Sequence, residues 1–137
     1  MKGKWAEGIE PRNFVWVIKD SLAICERPGG YGEHHRRVRR QEEIIWVRQH
    51  QFDVLYSLIT GSHNLHNYEE LGMPFRHRPW PLHDQLAQYM EVFFTEIHGA
   101  IAAGLKVLVH KEEVGERLCG LMAAYLLWAG LVPTGPQ

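Results

Sequence analysis

Runs of β-branched and aromatic residues alternate along this chain with stretches in which apolar positions recur at threes and fours. "NFVWVI" (Asn13–Ile18) and "LAIC" (Leu22–Cys25), separated by the turn-prone "KDS", predict a hairpin. "ERPGGYGEHH" (Glu26–His35) predicts a loop from its proline and glycines. From Arg36 to Gln51, Val38, Ile45 and Phe52 recur at sevens with Ile44 and Trp46 beside them, which predicts a helix. "DVLYSLI" (Asp53–Ile59) is continuous and apolar, the pattern of a strand covered on both faces. "TGSHNLHNYEELG" follows, with turn residues and one helical turn stopped at Gly72.

"MPFRHRPWP" predicts an alternating strand, with Phe75, His77 and Trp80 on one side, ended by prolines. From Asp84, expected as an N-cap, Leu86, Met90, Phe93, Phe94, Ile97 and Ile101 mark the clearest amphipathic helix, closed by Gly104. "KVLVH" (Lys106–His110) predicts a second buried strand. A final helix over about Gly115–Ala129 carries the stripe Leu118, Leu121, Met122, Tyr125 and Trp128 or Ala129. Strands alternating with helices imply an α/β sandwich with a largely parallel central sheet flanked by helices. Ligands of such folds bind outside the carboxyl ends of the strands, where helix N-termini are exposed. The segment "HKEEVGER" is expected there.

The 137 residues, 45% of them hydrophobic, suit one domain spanning residues 1–137. Fifteen Lys+Arg against 16 Asp+Glu leave a formal charge of −1, so an anion site must be local rather than a global field. Cys25 and Cys119 fit no metal or disulfide spacing and are expected as buried thiols of a cytoplasmic protein. "MKGKWAEGIEPRN" has no apolar core of a signal peptide. The longest apolar stretch, Leu118–Val132, is broken by Gly120 and Gly130 and falls short of the roughly 20 residues that span a bilayer. No membrane association, metal site or cofactor is expected; "HNLH" (His63–His66) lacks the converging third and fourth ligands that zinc requires.

His110, Lys111, five residues and Arg117 reproduce the spacing of an "H-C-x5-R" loop, in which backbone N–H groups cradle a phosphoryl group, the arginine grips it and a thiolate attacks. Lys111 stands where the cysteine would. With the order "NFVWV", Leu22-Ala23, Arg27-Pro28-Gly29, "VLYSLIT" and "HRPWPL", the chain resembles the cysteine-dependent dual-specificity phosphatases, in particular their small bacterial and archaeal members. The likeness is strongest over residues 13–132. It implies a phosphotyrosine-phosphatase-like fold, with the further C-terminal helices of that family expected to be truncated here and homodimerisation through the faces they would cover.

The departures from the family pattern carry the functional expectation. Lys111 cannot form a thiophosphate intermediate, and Leu82, at the general-acid position, has no proton to donate; Asp84 is the nearest substitute. Val114 replaces a glycine of the loop and Leu118 a hydroxyl residue. Glu112, Glu113 and Glu116 are expected to pair with Lys111 and Arg117 and to disfavour a phosphate-containing ligand. Thus the degenerate loop His110, Lys111, Glu112, Glu113, Val114, Gly115, Glu116 and Arg117 implies no catalytic residue, and Lys111 and Arg117 remain the anion-binding candidates. The expected function is a catalytically inactive binding or regulatory module whose protein partner the sequence does not identify. Two alternatives stand beside it: a hydrolase with a mechanism rearranged around Lys111 and Arg117, and a polyanion or nucleic-acid binder using Arg36, Arg37, Arg39 and Arg40.

Overall fold

The computed structural model describes residues 8–29, 37–61 and 65–131, with the side chain of Arg37 left out of the description. The chain runs β1 (Val15–Ile18), β2 (Leu22–Glu26), α1 (Arg37–Gln49), β3 (Val54–Ser57), α2 (Leu65–Glu70), β4 (Phe75–His77), a 3-10 turn (His83–Gln85), α3 (Leu86–Ala102), β5 (Val107–Lys111) and α4 (Glu116–Trp128). The five strands form one sheet in the order β1-β2-β5-β3-β4. Only the β1–β2 hairpin is antiparallel; β2–β5, β5–β3 and β3–β4 are parallel. This is the α/β architecture expected from the alternation of strands and helices.

β5 lies at the centre of the sheet, and Val107 to His110 are buried, as a strand with neighbours on both edges and helices on both faces must be. Its side chains alternate. Val107 and Val109 join Leu22, Ile24, Val54 and Tyr56 on one face, which packs on Phe93, Phe94 and Ile97 of α3 and Leu118, Leu121, Met122 and Tyr125 of α4. Leu108 joins Ala23, Cys25 and Leu55 on the other, against Ile44 and Val47 of α1, Tyr68 of α2 and Met73. Each side chain fully withdrawn in this way contributes about 1.5–3 kcal/mol.

The helices stop where the backbone turns left-handed. After α3, Gly104 (φ 86°) lets its own N–H reach the Ile101 carbonyl at 2.9 Å and the Leu105 N–H reach Ala100 at 3.0 Å. α1 ends in the same motif with Gln51 (φ 62°) in the glycine position. Three sequence expectations change. The buried face of α1 is Arg40, Glu43, Ile44 and Val47, whereas Val38 is 64% exposed, because the helix follows i, i+3, i+4, i+7 and two of those positions are charged. α3 starts at Leu86 after the 3-10 turn, with Gln85 rather than Asp84 at the N-cap and no side-chain cap bond. Cys119 is exposed, since it falls off the Leu118, Leu121, Met122, Tyr125 stripe, while Cys25 is buried as expected.

Candidate functional site

The parallel strands direct their carboxyl ends to one edge of the sandwich, where the loop from β5 to α4 meets the segment after β4. His110, the last wholly buried residue of β5, has Nε2 2.9 Å from the Tyr68 hydroxyl and Nδ1 3.4 Å from the Lys111 carbonyl. A carbonyl only accepts, so Nδ1 carries the proton and Nε2 accepts from the tyrosine. Burial pulls the His110 pKa down to about 3 and pushes the enclosed Tyr68 hydroxyl up. Both groups are therefore neutral, and the imidazole is held at the root of the loop.

Lys111 follows. Its ammonium lies 3.3 Å from Glu112 Oε1 and 5.0 Å from the centre of the Trp80 ring, with its side chain 16% exposed. The cation thus bridges the loop and the segment after β4, between a carboxylate and an aromatic face. Glu26, paired with Lys111 across β2 and β5, adds a carboxyl behind the loop. Its pKa is raised by burial, against the pull of Arg12, and its Oε1 has no hydrogen-bond partner among the described residues.

The rest of the loop departs from a phosphate cradle residue by residue. Val114 packs against the core under α3 and α4, and Leu118 is fully buried there, so both side chains serve packing. A side chain at Gly115 would meet the Glu113 carboxylate at 3.4 Å. Glu116 opens α4, where a negative charge suits the helix dipole. Arg117 is exposed and has no hydrogen bond or ion pair with a described residue. The expected pairing with a glutamate is present for Lys111, whereas Arg117 makes no ion pair with a described residue. Lys111, Glu112, Glu113, Gly115, Glu116, Arg117 and Leu118 line an open hollow of about 740 Å3.

Opposite the loop, the segment after β4 is tethered. The Arg78 and Trp80 N–H groups donate to the Ser57 and Leu58 carbonyls, at 2.9 and 3.0 Å. Tyr89 donates to the Arg78 carbonyl at 2.7 Å, and the Arg78 guanidinium grips Glu96 with bonds of 2.6 and 2.9 Å. This keeps the Arg78 pKa above its ordinary value. Leu82, which the sequence resemblance sets at the general-acid position, is 70% exposed, and Asp84 is exposed beyond it.

The arginine patch is divided. Arg40 is buried, its Nε donating to Asn67 at 2.6 Å, and Arg39 bonds the buried Glu43, which also accepts from the Gly29 N–H at 2.9 Å. Arg40 thus faces inward, away from the surface a polyanion would need. Arg36, the Arg37 side chain and His63 of "HNLH" lie outside the described residues. Sequence reasoning missed Trp80 as a cation's partner, and missed the contacts of Arg39 with Glu43 and of Arg40 with Asn67. Only the i, i+3, i+4 placement of Arg40, Glu43 and Ile44 hinted at the latter.

No family model and no curated protein sequence matches the chain. Solved structures do. Kinase associated phosphatase, with its catalytic-site cysteine substituted by serine, superimposes with a TM-score of 0.69 at 18% identity, covering 86% of this chain and 74% of that one. Tk-PTP, in a glycine-to-alanine mutant form, gives 0.63 at 16% identity over 93% of this chain and 75% of its own. A candidate phosphatase (DUF442) from Shewanella putrefaciens CN-32 gives 0.61 at 21% identity, over 90% and 76% respectively. At these identities the likeness is one of fold: the chain has the mixed α/β sandwich of the phosphotyrosine-phosphatase-like phosphatases.

Proposed function

We propose that the protein is a catalytically inactive relative of the dual-specificity phosphatases, acting as a binding or regulatory module. The observation that carries this reading is the Lys111 ammonium, lodged between Glu112 and the Trp80 ring at the position of the family's nucleophile. A cation held there cannot attack phosphorus, and the carboxylates of Glu112, Glu113 and Glu116 oppose a phosphate dianion. Leu82, exposed and without a titratable proton, supports the same reading from the leaving-group side.

The direct test is turnover of an aryl phosphate by the purified protein. No release of phenol above buffer is expected, and Lys111→Cys alone does not create a competent enzyme, because Leu82 and the loop glutamates remain. Turnover by the native chain that disappears in Arg117→Ala would overturn the proposal in favour of a rearranged hydrolase. Leu127, Trp128 and Leu131, all 40% or more exposed at the end of α4, support a protein contact, self-association included. Sedimentation across a concentration series reads that out.

A further inference from the structure

Beside the loop lies a second hollow, which shares Arg117 and Glu116 with the loop but runs over α3 and α4 instead of over the β5 end. It measures about 510 Å3 and is lined by Trp80, Pro81, Leu82, Leu86, Met90 and Leu121, with Gly120 in its wall and Glu116, Arg117 and His83 at its polar edge. Trp80, Pro81 and Leu82 also border a neighbouring cleft of about 590 Å3 over α3, so these residues form a partition between the two. The volume falls within the range of small-molecule sites, which combine apolar walls with a few orienting polar groups.

Two observations distinguish this hollow from an accidental gap. Arg117 reaches its edge without a hydrogen bond or ion pair to any described residue, while the other loop cation, Lys111, is already held by Glu112 and Trp80. Gly120 lies in the interior of α4, where glycine is the poorest helix former after proline. Neither a positive φ nor a close neighbour requires it, since a Cβ built there meets nothing within 4 Å. What the missing side chain does is leave the wall of the hollow open.

From this geometry we propose that the hollow binds a monocarboxylate with an apolar body, of about ten to twelve non-hydrogen atoms in all. The carboxylate takes the two-pronged guanidinium of Arg117. The apolar body lies along Met90, Leu121 and Leu86, over the space left by Gly120. Glu116 on the same rim selects a singly charged group over a phosphate dianion, which would be repelled more strongly. Because the site takes Arg117 and Glu116 from the loop, it rests on the reading of that loop as inactive.

Phenylbutyrate and its uncharged amide serve as probes, titrated into the full chain and followed by amide chemical shifts in NMR spectra. Saturable shifts from the acid are expected on Arg117, Gly120 and Leu121, with the amide binding about tenfold more weakly or worse. Arg117→Gln is expected to weaken the acid about tenfold and to leave the amide unchanged. Gly120→Phe fills the hollow and is expected to abolish binding of both probes while raising the thermal midpoint, a sign that the variant is folded. Equal affinity for acid and amide, or unaltered binding in folded Gly120→Phe, would overturn the proposal. Displacement of the acid by inorganic phosphate would also overturn it, and would return Arg117 to the loop as a phosphate reader. Binding of an apolar peptide ending in a free carboxylate, with no saturable shift from phenylbutyrate, would overturn it in favour of a protein partner. Aryl phosphate turnover, by contrast, tests only the inactivity of the loop.

Discussion

His110 is buried as a neutral imidazole between Tyr68 and the Lys111 carbonyl, and its burial makes folding pH-dependent. Its pKa falls from an ordinary 6.5 to about 3 on folding. Between those values the unfolded chain binds the proton and the folded chain does not, so stability rises with pH. The contribution is complete above 6.5 and is lost on acidification by about 1.4 kcal/mol per pH unit below it. Urea unfolding of wild type and His110→Gln at pH 7 and pH 5 checks this. The wild-type loss is expected to exceed the variant's, and parallel profiles would assign the loss to other groups. Gln51 offers a second test. A non-glycine side chain at φ 62° is strained, so Gln51→Gly is expected to stabilise by about 0.5 kcal/mol, read as a higher thermal midpoint. The residue types of the loop were legible in the sequence, including the lysine at position 111 and the leucine at position 82. The direction in which each side chain turns was not. Lys111 met an aromatic ring distant in sequence, and Arg117, in the first turn of α4, is exposed.

At the level of elements, α3 and α4 could be read because their buried stripes are apolar, and Phe93, Phe94, Ile97, Leu118, Leu121, Met122 and Tyr125 are all withdrawn as their spacing requires. α1 was misread for the opposite reason. Its buried face contains Arg40 and Glu43, and charged residues at core positions look like a solvated face until their partners are known. Those partners, Asn67 and the Gly29 N–H, come from α2 and from the turn after β2. Glu43→Ala would leave the Gly29 N–H and Arg39 without this acceptor, and a loss of about 2–4 kcal/mol is expected in denaturant unfolding. Val38→Ala on the exposed face of the same helix is expected to change stability by less than about 0.5 kcal/mol. The two variants together decide which face of α1 is the structural one.

Across the whole molecule, the hairpin, the parallel pairings and the crossover helices followed from the alternation of strand and helix patterns, because topology rules leave few ways to connect them. The strand order placed β5 at the centre, and the amides of Val107 to Val109 are expected to exchange hydrogen only through global unfolding, with those of the edge strand β1 exchanging faster. Hydrogen exchange followed by NMR measures both. What pattern reading could not supply is the state of the cleft, which depends on tethers from separate elements: Ser57 and Leu58 at the end of β3, and Tyr89 and Glu96 on α3, all holding the chain between Arg78 and Trp80. Those four attachments have a kinetic consequence. A wall fixed at so many points presents one shape to whatever enters, so binding should proceed in a single step, with an observed rate that climbs in proportion to ligand concentration and reaches no plateau.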